Sequence, residues 1–114
     1  MTQNEKNLLL KDLCGRLPYR VKIQYHKLKP PISLIGYDDS VFIGDDDWGY
    51  ETENIKPYLF PMSSMTEEQK SQIEFYAFTK EYHKIVELYN ENHIDYRGFI
   101  EKGLSIDATN LNIY

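Results

Sequence analysis

Carboxylate side chains that could hold a metal ion are concentrated in one short stretch of the sequence. Residues 38 to 53 contain seven acidic side chains and no basic one: Asp38, Asp39, Asp45, Asp46, Asp47, Glu51 and Glu53. Carboxylate oxygens are the ligands that hard cations such as Mg²⁺ and Ca²⁺ prefer. The stretch does not match an EF-hand loop, because the glycine and the terminal glutamate of that loop are wrongly placed. We therefore interpret it as a solvated turn, with a cation site as the alternative.

Histidine and cysteine side chains are the other candidates for metal binding or catalysis. His26, His83 and His93 lie far apart, and none is paired with a second histidine or a cysteine at zinc-ligand spacing. Cys14 lies on the apolar stripe of a predicted helix, so we expect it to be buried and unreactive. The glycines match neither a phosphate-binding loop nor a dinucleotide fingerprint. The sequence thus assigns no catalytic, cofactor-binding or metal-binding residue and favours a protein that is not an enzyme.

Two aromatic residues, Trp48 and Tyr50, follow directly after the three aspartates. Exposed tryptophan and tyrosine side chains are typical anchors of protein interfaces. For Trp48 the favoured interpretation is packing over the open end of a small core, and an interface anchor is the alternative. The candidate interaction surface comprises Asp45, Asp46, Asp47, Trp48 and Tyr50. The preferred function is a non-catalytic protein-binding or adaptor module with an unknown protein partner.

The charge balance argues against tight binding to nucleic acid without excluding it. The formal net charge is −5, whereas binding to phosphates needs a concentrated basic surface. Residues 16 to 29 nevertheless contain five basic side chains and no acidic one: Arg16, Arg20, Lys22, Lys27 and Lys29. With Tyr19 and Tyr25 they favour an alternative function, a nucleic-acid-binding small β-barrel protein. A metal-dependent enzyme is a third alternative, and the ten tyrosines leave a homodimer open.

Length and composition predict one folded domain that spans residues 1 to 114. The single cysteine excludes an intrachain disulfide. The first residues lack the pattern of a signal peptide, and no apolar run approaches the roughly 20 residues of a membrane span. We therefore expect a cytoplasmic protein that does not insert into membranes.

An amphipathic helix is predicted for residues 4 to 16. Leu10, Leu13, Cys14 and Leu17 fall on one helical stripe, which places Asp12 and Arg16 toward solvent. Pro18 ends the helix, because proline disfavours the α conformation of the residue before it.

Four strands are predicted to follow this helix, at residues 21 to 25, 32 to 37, 40 to 44 and 55 to 60. The second and third form a hairpin that turns at Asp38 and Asp39. Pro57 has no N–H group to donate, so the fourth strand should lie at an edge of the sheet. We predict an α+β fold in which these strands form a small curved antiparallel meander or an SH3-like barrel.

Two or three helices are predicted in the remainder of the chain. Thr66 and Gln69 match a capping box at the start of a helix at 67 to 77, which should bury Ile73, Tyr76 and Ala77. A second helix at 79 to 91 places Tyr82, Ile85, Val86 and Tyr89 on one stripe. A short helix at 96 to 102, capped by Asp95, should bury Tyr96, Phe99 and Ile100, and residues 107 to 114 should fray.

Three segments of the chain carry a resemblance to a known group of proteins: LKDLC at residues 10 to 14, IKPYLFPMSSMTEEQ at 55 to 69 and DYRGFIEKGL at 95 to 104. They resemble short uncharacterised proteins encoded in gut Bacteroidetes genomes and their prophage-like elements. The resemblance covers most of the chain and implies a bacterial, cytoplasmic protein carried on a mobile element. It assigns no catalytic residue to any position.

Overall fold

The computed structural model describes all residues from 1 to 114 and has an α+β fold, as the sequence predicted. The helices are α1 (Gln3–Arg16), α2 (Glu67–Phe78) and α3 (Tyr82–Glu91). The strands are β1 (Lys22–Gln24), β2 (Ile32–Asp38), β3 (Val41–Gly44), β4 (Gly49–Tyr50), β5 (Lys56–Pro61), β6 (Ile94–Asp95) and β7 (Ile106–Asp107). The order along the chain is therefore one helix, a β-rich middle, two further helices and two short strands.

An antiparallel meander of β1 to β4 forms one half of the sheet. The β2–β3 hairpin turns at Asp39 and Ser40, one residue later than predicted, and both residues have positive φ (46° and 70°). This pair of left-handed residues is what a type I′ turn requires. A register shift between Leu34 and Gly36 bends β2. The sheet is curved but open, since its two ends, β4 and β6, do not pair with each other. The predicted alternative of an SH3-like barrel was therefore wrong.

β5 lies inside the sheet, so the prediction that Pro57 marks an edge strand was wrong. β1 pairs with β5 on one side through Ile23 and Pro57, and β7 pairs on the other side. Leu59 accepts a hydrogen bond from the Ala108 N–H on the β7 side (2.8 Å). Because backbone groups alternate along a strand, the Pro57 nitrogen faces that side too. Pairing with β7 begins only at Tyr58, and the missing N–H therefore interrupts no ladder bond.

The last residue, Tyr114, fills a fork in the sheet where β1 leaves β5 and β6 joins it. Its hydroxyl accepts from the Lys22 N–H (2.8 Å) and donates to the Tyr58 carbonyl (2.8 Å). Farther along β5, Phe60 N–H donates to the His93 carbonyl (2.8 Å), and the His93 ring stacks on Tyr114 with centroids 3.8 Å apart. The segment predicted to fray is thus held by β7 and by its terminal tyrosine.

The core lies between α1 and the sheet. It consists of Leu9, Leu13, Val21, Ile23, Leu34, Phe42, Ile55, Leu59, Phe99 and Leu104. A capping box of Thr2 and Glu5, which the sequence analysis missed, starts α1.

The buried face of α1 differs from the predicted one by a rotation of one residue. The residues buried on α1 are Leu9, Asp12, Leu13 and Arg16, which have the same spacing as the predicted stripe but begin one position earlier. Asp12 and Arg16 are consequently buried rather than solvated, and Cys14 is exposed rather than buried. Both predictions were wrong because helical periodicity gives the width of a face, while packing partners select which face is used.

Helices α2 and α3 form a hairpin that contributes little to the core. The predicted capping box of Thr66 and Gln69 is confirmed, and Lys80 in the left-handed region (φ 61°) ends α2 in a Schellman motif. No residue of α2 is buried: Ile73 and Tyr76 are half-buried, and Ala77 is exposed. In α3 the buried residues are Leu88 and Asn90, whereas Tyr82 and Val86 of the predicted stripe are exposed.

The short final helix predicted at 96 to 102 is absent, and a series of turns takes its place. Asp95 nevertheless accepts from the backbone N–H groups of Phe99 (2.9 Å) and Ile100 (2.8 Å). Phe99 is fully buried, as predicted. None of the helices is both long enough and apolar enough to cross a bilayer.

Candidate functional site

A tight hairpin between β3 and β4 presents the candidate residues. Gly44 N–H donates to the Trp48 carbonyl, and Asp47 N–H donates to the Gly44 carbonyl, both at 3.0 Å. Asp47 has a positive φ of 65°. These bonds close the turn and bring β4 back along β3, where Gly49 pairs with Ile43.

Asp46 is the carboxylate that organises this hairpin. Its Oδ1 accepts from the Trp48 backbone N–H (3.2 Å), and its Oδ2 accepts from the Tyr50 hydroxyl. Burial and the hydrogen bond to Asp46 raise the pKa of the Tyr50 phenol above its usual value. The protonated phenol donates to the carboxylate and holds it in place.

An open groove forms where the hairpin meets the end of β1. We call it the aromatic groove, and its lining residues are Tyr25, Asp46, Trp48, Gly49 and Tyr50. The Tyr25 and Tyr50 rings lie 5.3 Å apart between centroids and are inclined at 52°. Trp48 is 71% exposed, so it does not cover the core as the favoured sequence interpretation held. The indole is instead the most accessible large ring of this site.

The structure brings together only part of the predicted surface. Asp46, Trp48 and Tyr50 converge on the groove. Asp45 instead accepts from the Ser33 N–H (3.3 Å) and links the hairpin to β2, while Asp47 is exposed. The sequence analysis assigned Tyr25 to the alternative nucleic-acid surface rather than to this site, but β1 ends at Gln24 and the Tyr25 ring packs on Tyr50.

The side chains considered for metal binding do not gather. No three histidine, cysteine, aspartate or glutamate side chains lie close enough together to hold a metal ion. The His26 ring accepts from the Leu28 N–H (3.1 Å), and His83 is exposed on α3. Burial, with the nearby positive charge of Arg16, lowers the pKa of His93 to about 4. His93 is therefore neutral at pH 7.

One basic residue of the alternative nucleic-acid surface shares a groove with an acidic residue. Lys27 lines the same shallow groove as Glu53. Tyr25, one of the two tyrosines of that surface, packs beside Tyr50 and Asp46 in the aromatic groove. Lys27 and Tyr25 of the basic stretch thus each lie beside one residue of the acidic stretch.

A buried ionic network, missed by the sequence analysis, lies on the buried face of α1. The Arg16 guanidinium is fully buried and donates to Asp12 (2.8 Å from Nε) and to the Ile94 carbonyl (2.7 Å from Nη2). Arg97 Nε donates to the same carboxylate (3.0 Å) and its guanidinium lies 4.8 Å from the centre of the Tyr96 ring. The four-residue spacing of Asp12 and Arg16 was the available signal. This network joins α1 to β6 and is a structural feature.

Comparison with known proteins gives no information about the site. No protein-family model matches this chain. No curated protein and no solved structure matches it either. The function is therefore argued from the groove and its surroundings.

Proposed function

We propose that this chain is a non-catalytic protein-binding module that engages its partner through the aromatic groove. The observation that supports the proposal is the exposure of Trp48 (71%) on a hairpin whose turn is fixed by hydrogen bonds. Burying such a ring removes a large apolar area from water at little cost in side-chain entropy. Tryptophan is accordingly among the residues that contribute most to binding at interfaces.

Preorganisation of the hairpin strengthens this argument. The Trp48 backbone donates to Asp46, its carbonyl accepts from Gly44, and Tyr50 is held by the same carboxylate. A surface that is already ordered loses less conformational entropy on association. The residues of the groove thus have the rigidity that an interface anchor needs.

Charge favours a basic partner. The chain carries a net charge of −5. Asp45, Asp46, Asp47 and Glu51 flank Trp48 in the sequence, and Asp46 lines the groove beside it. Complementary charge accelerates encounter, and salt weakens this effect. The proposal includes a bacterial cytoplasmic setting, which accords with a single cysteine.

The test is capture of the partner by the tagged chain from lysate of its own host, after nuclease treatment, with two variants in parallel. Trp48→Ala removes the groove's exposed ring, and Phe78→Ala removes a ring that is 87% exposed at the end of α2. We expect the wild type and Phe78→Ala to retain the same protein and Trp48→Ala to lose it without a lower melting temperature. Equal capture by Trp48→Ala would contradict the proposal. Loss of all bound material after nuclease would favour nucleic-acid binding instead.

A further inference from the structure

Three aromatic side chains and one carboxylate line the aromatic groove. The Tyr25 and Tyr50 rings are inclined at 52° with centroids 5.3 Å apart, so they form two sides of a corner rather than a closed stack. Trp48 adds a third, largely exposed ring. The face of an aromatic ring carries negative potential and attracts a cation within about 6 Å of its centre.

Asp46 retains capacity to accept further hydrogen bonds. The Trp48 N–H and the Tyr50 hydroxyl each use one acceptor position, on different oxygens of the carboxylate. An ionised carboxylate has about four such positions. Each oxygen can therefore accept one more donor from a ligand in the groove.

No cation of the chain itself serves this groove. The ion pairs of the protein involve Glu53, Asp12, Glu67 and Glu81, and none involves Asp46. The rings that have a guanidinium or an ammonium group over them are those of Tyr96 and Tyr76. The rings and the carboxylate of the groove are thus without a cation.

Another site in this protein shows an aromatic ring and a carboxylate that together bind a cation. Arg97 lies over the Tyr96 ring, 4.8 Å from its centre, while its Nε donates to Asp12 at 3.0 Å. The aromatic groove has the ring and the carboxylate of that arrangement but lacks the guanidinium. An apolar ligand would cover Asp46 without offering a donor, which is unfavourable, and a phosphate would meet repulsion from the surrounding aspartates.

We infer that the aromatic groove binds one lysine or arginine side chain, presented by a basic segment of the partner protein. The cationic head lies against the rings of Tyr25, Trp48 and Tyr50 and donates to Asp46, and its aliphatic stem covers the indole. This inference rests on the proposed function and specifies the chemistry that the groove recognises.

The test uses three synthetic peptides of identical sequence except at four positions, which carry lysine, arginine or the neutral isostere norleucine. Trp48 is the only tryptophan, so its fluorescence reports occupancy of the groove directly. Amide resonances of Gly49 and Tyr50 provide a second readout in variants. We expect the lysine and arginine peptides to shift both signals at low salt, and the norleucine peptide to bind at least about tenfold more weakly.

Two variants separate binding in the groove from general attraction to an acidic surface. Asp46→Asn and Asp47→Asn remove the same charge from adjacent residues, of which only Asp46 lines the groove. We expect Asp46→Asn to weaken the lysine peptide at least about fivefold more than Asp47→Asn, since it loses a hydrogen-bond acceptor as well as charge. Tyr25→Leu, which leaves the hairpin bonds intact, should also weaken binding.

Two results would overturn the inference. One is equal loss in the two asparagine variants with no effect of Tyr25→Leu. The other is the absence of any shift at millimolar peptide in low salt. If a protein partner is still captured in a Trp48-dependent manner, the protein-binding function stands and only the cationic ligand is wrong. If that capture also fails, both proposals fall.

Discussion

Replacement of Tyr114 by phenylalanine removes one oxygen atom from the fork between β1 and β5. In the native chain that hydroxyl bridges the Lys22 N–H and the Tyr58 carbonyl, with both distances 2.8 Å. A phenylalanine ring fits the same space and can still stack on His93. The substitution therefore tests the two hydrogen bonds separately from the packing of the ring.

The expected loss follows from those two bonds. A hydrogen bond within a protein contributes about 1 kcal/mol net, and a buried backbone group left without a partner costs about 1–3 kcal/mol. The Lys22 N–H lies near the surface and the Tyr58 carbonyl is partly buried. Water can therefore form hydrogen bonds to these two groups in the variant and offset part of the loss. We expect Tyr114→Phe to reduce the free energy of unfolding by about 2 kcal/mol. Tyr114→Ala should cost more, because it also removes the ring.

The measurement is urea denaturation at pH 7, followed by circular dichroism. Tyr82→Phe is the matched control, because it removes the same atom from a tyrosine that is 60% exposed. Its effect should lie within about 0.5 kcal/mol of zero. If Tyr114→Phe behaves like Tyr82→Phe, the hydroxyl does not bridge the two strands and our account of the fork is wrong.

Three further predictions concern stability. The pKa of His93 is lowered to about 4 from 6.5. Between these two pH values the unfolded chain binds a proton that the folded chain does not. The free energy of unfolding should therefore fall by about 1–3 kcal/mol as the pH drops from 6.5 to 4. His93→Gln should remove that part of the pH dependence in urea titrations, and an unchanged slope would contradict the assignment. Asp12→Ala leaves the buried Arg16 guanidinium without its carboxylate and should cost about 3–5 kcal/mol, and a loss under 1 kcal/mol would refute this account. Thr66→Ala should cost about 1 kcal/mol through loss of the α2 cap, whereas Ser71→Ala within the same helix should be nearly neutral.

Local sequence signals predicted the helices α1 to α3 and the strands β1, β2, β3 and β5 in their order, but they did not predict β4, β6 or β7. Thr66 and Gln69 start α2 as expected, since a capping box requires only residues three positions apart. Alternation and helical periodicity likewise located α1, β1 and the β2–β3 hairpin to within about a residue or two, because these patterns are properties of neighbouring residues. The acidic stretch and its two aromatic residues also drew attention to the hairpin that lines the groove.

Tertiary structure decided which surfaces those elements use. Rotation of α1 by one residue buries Asp12 and exposes Cys14, because Arg97 and the Ile94 carbonyl, both distant in sequence, supply the partners that a buried ion pair needs.

The aromatic groove depends on tertiary structure in the same way. Tyr25 directly follows β1 and Tyr50 lies in β4, so their contact depends on how the fold brings two separate segments together rather than on the pattern of either segment. Tyr114 occupies a gap that exists only where β1 and β6 diverge along β5. Periodicity in the sequence predicts that a helix or strand has an apolar face and where the element ends. Long-range contacts decide which residues pack against that face or that end.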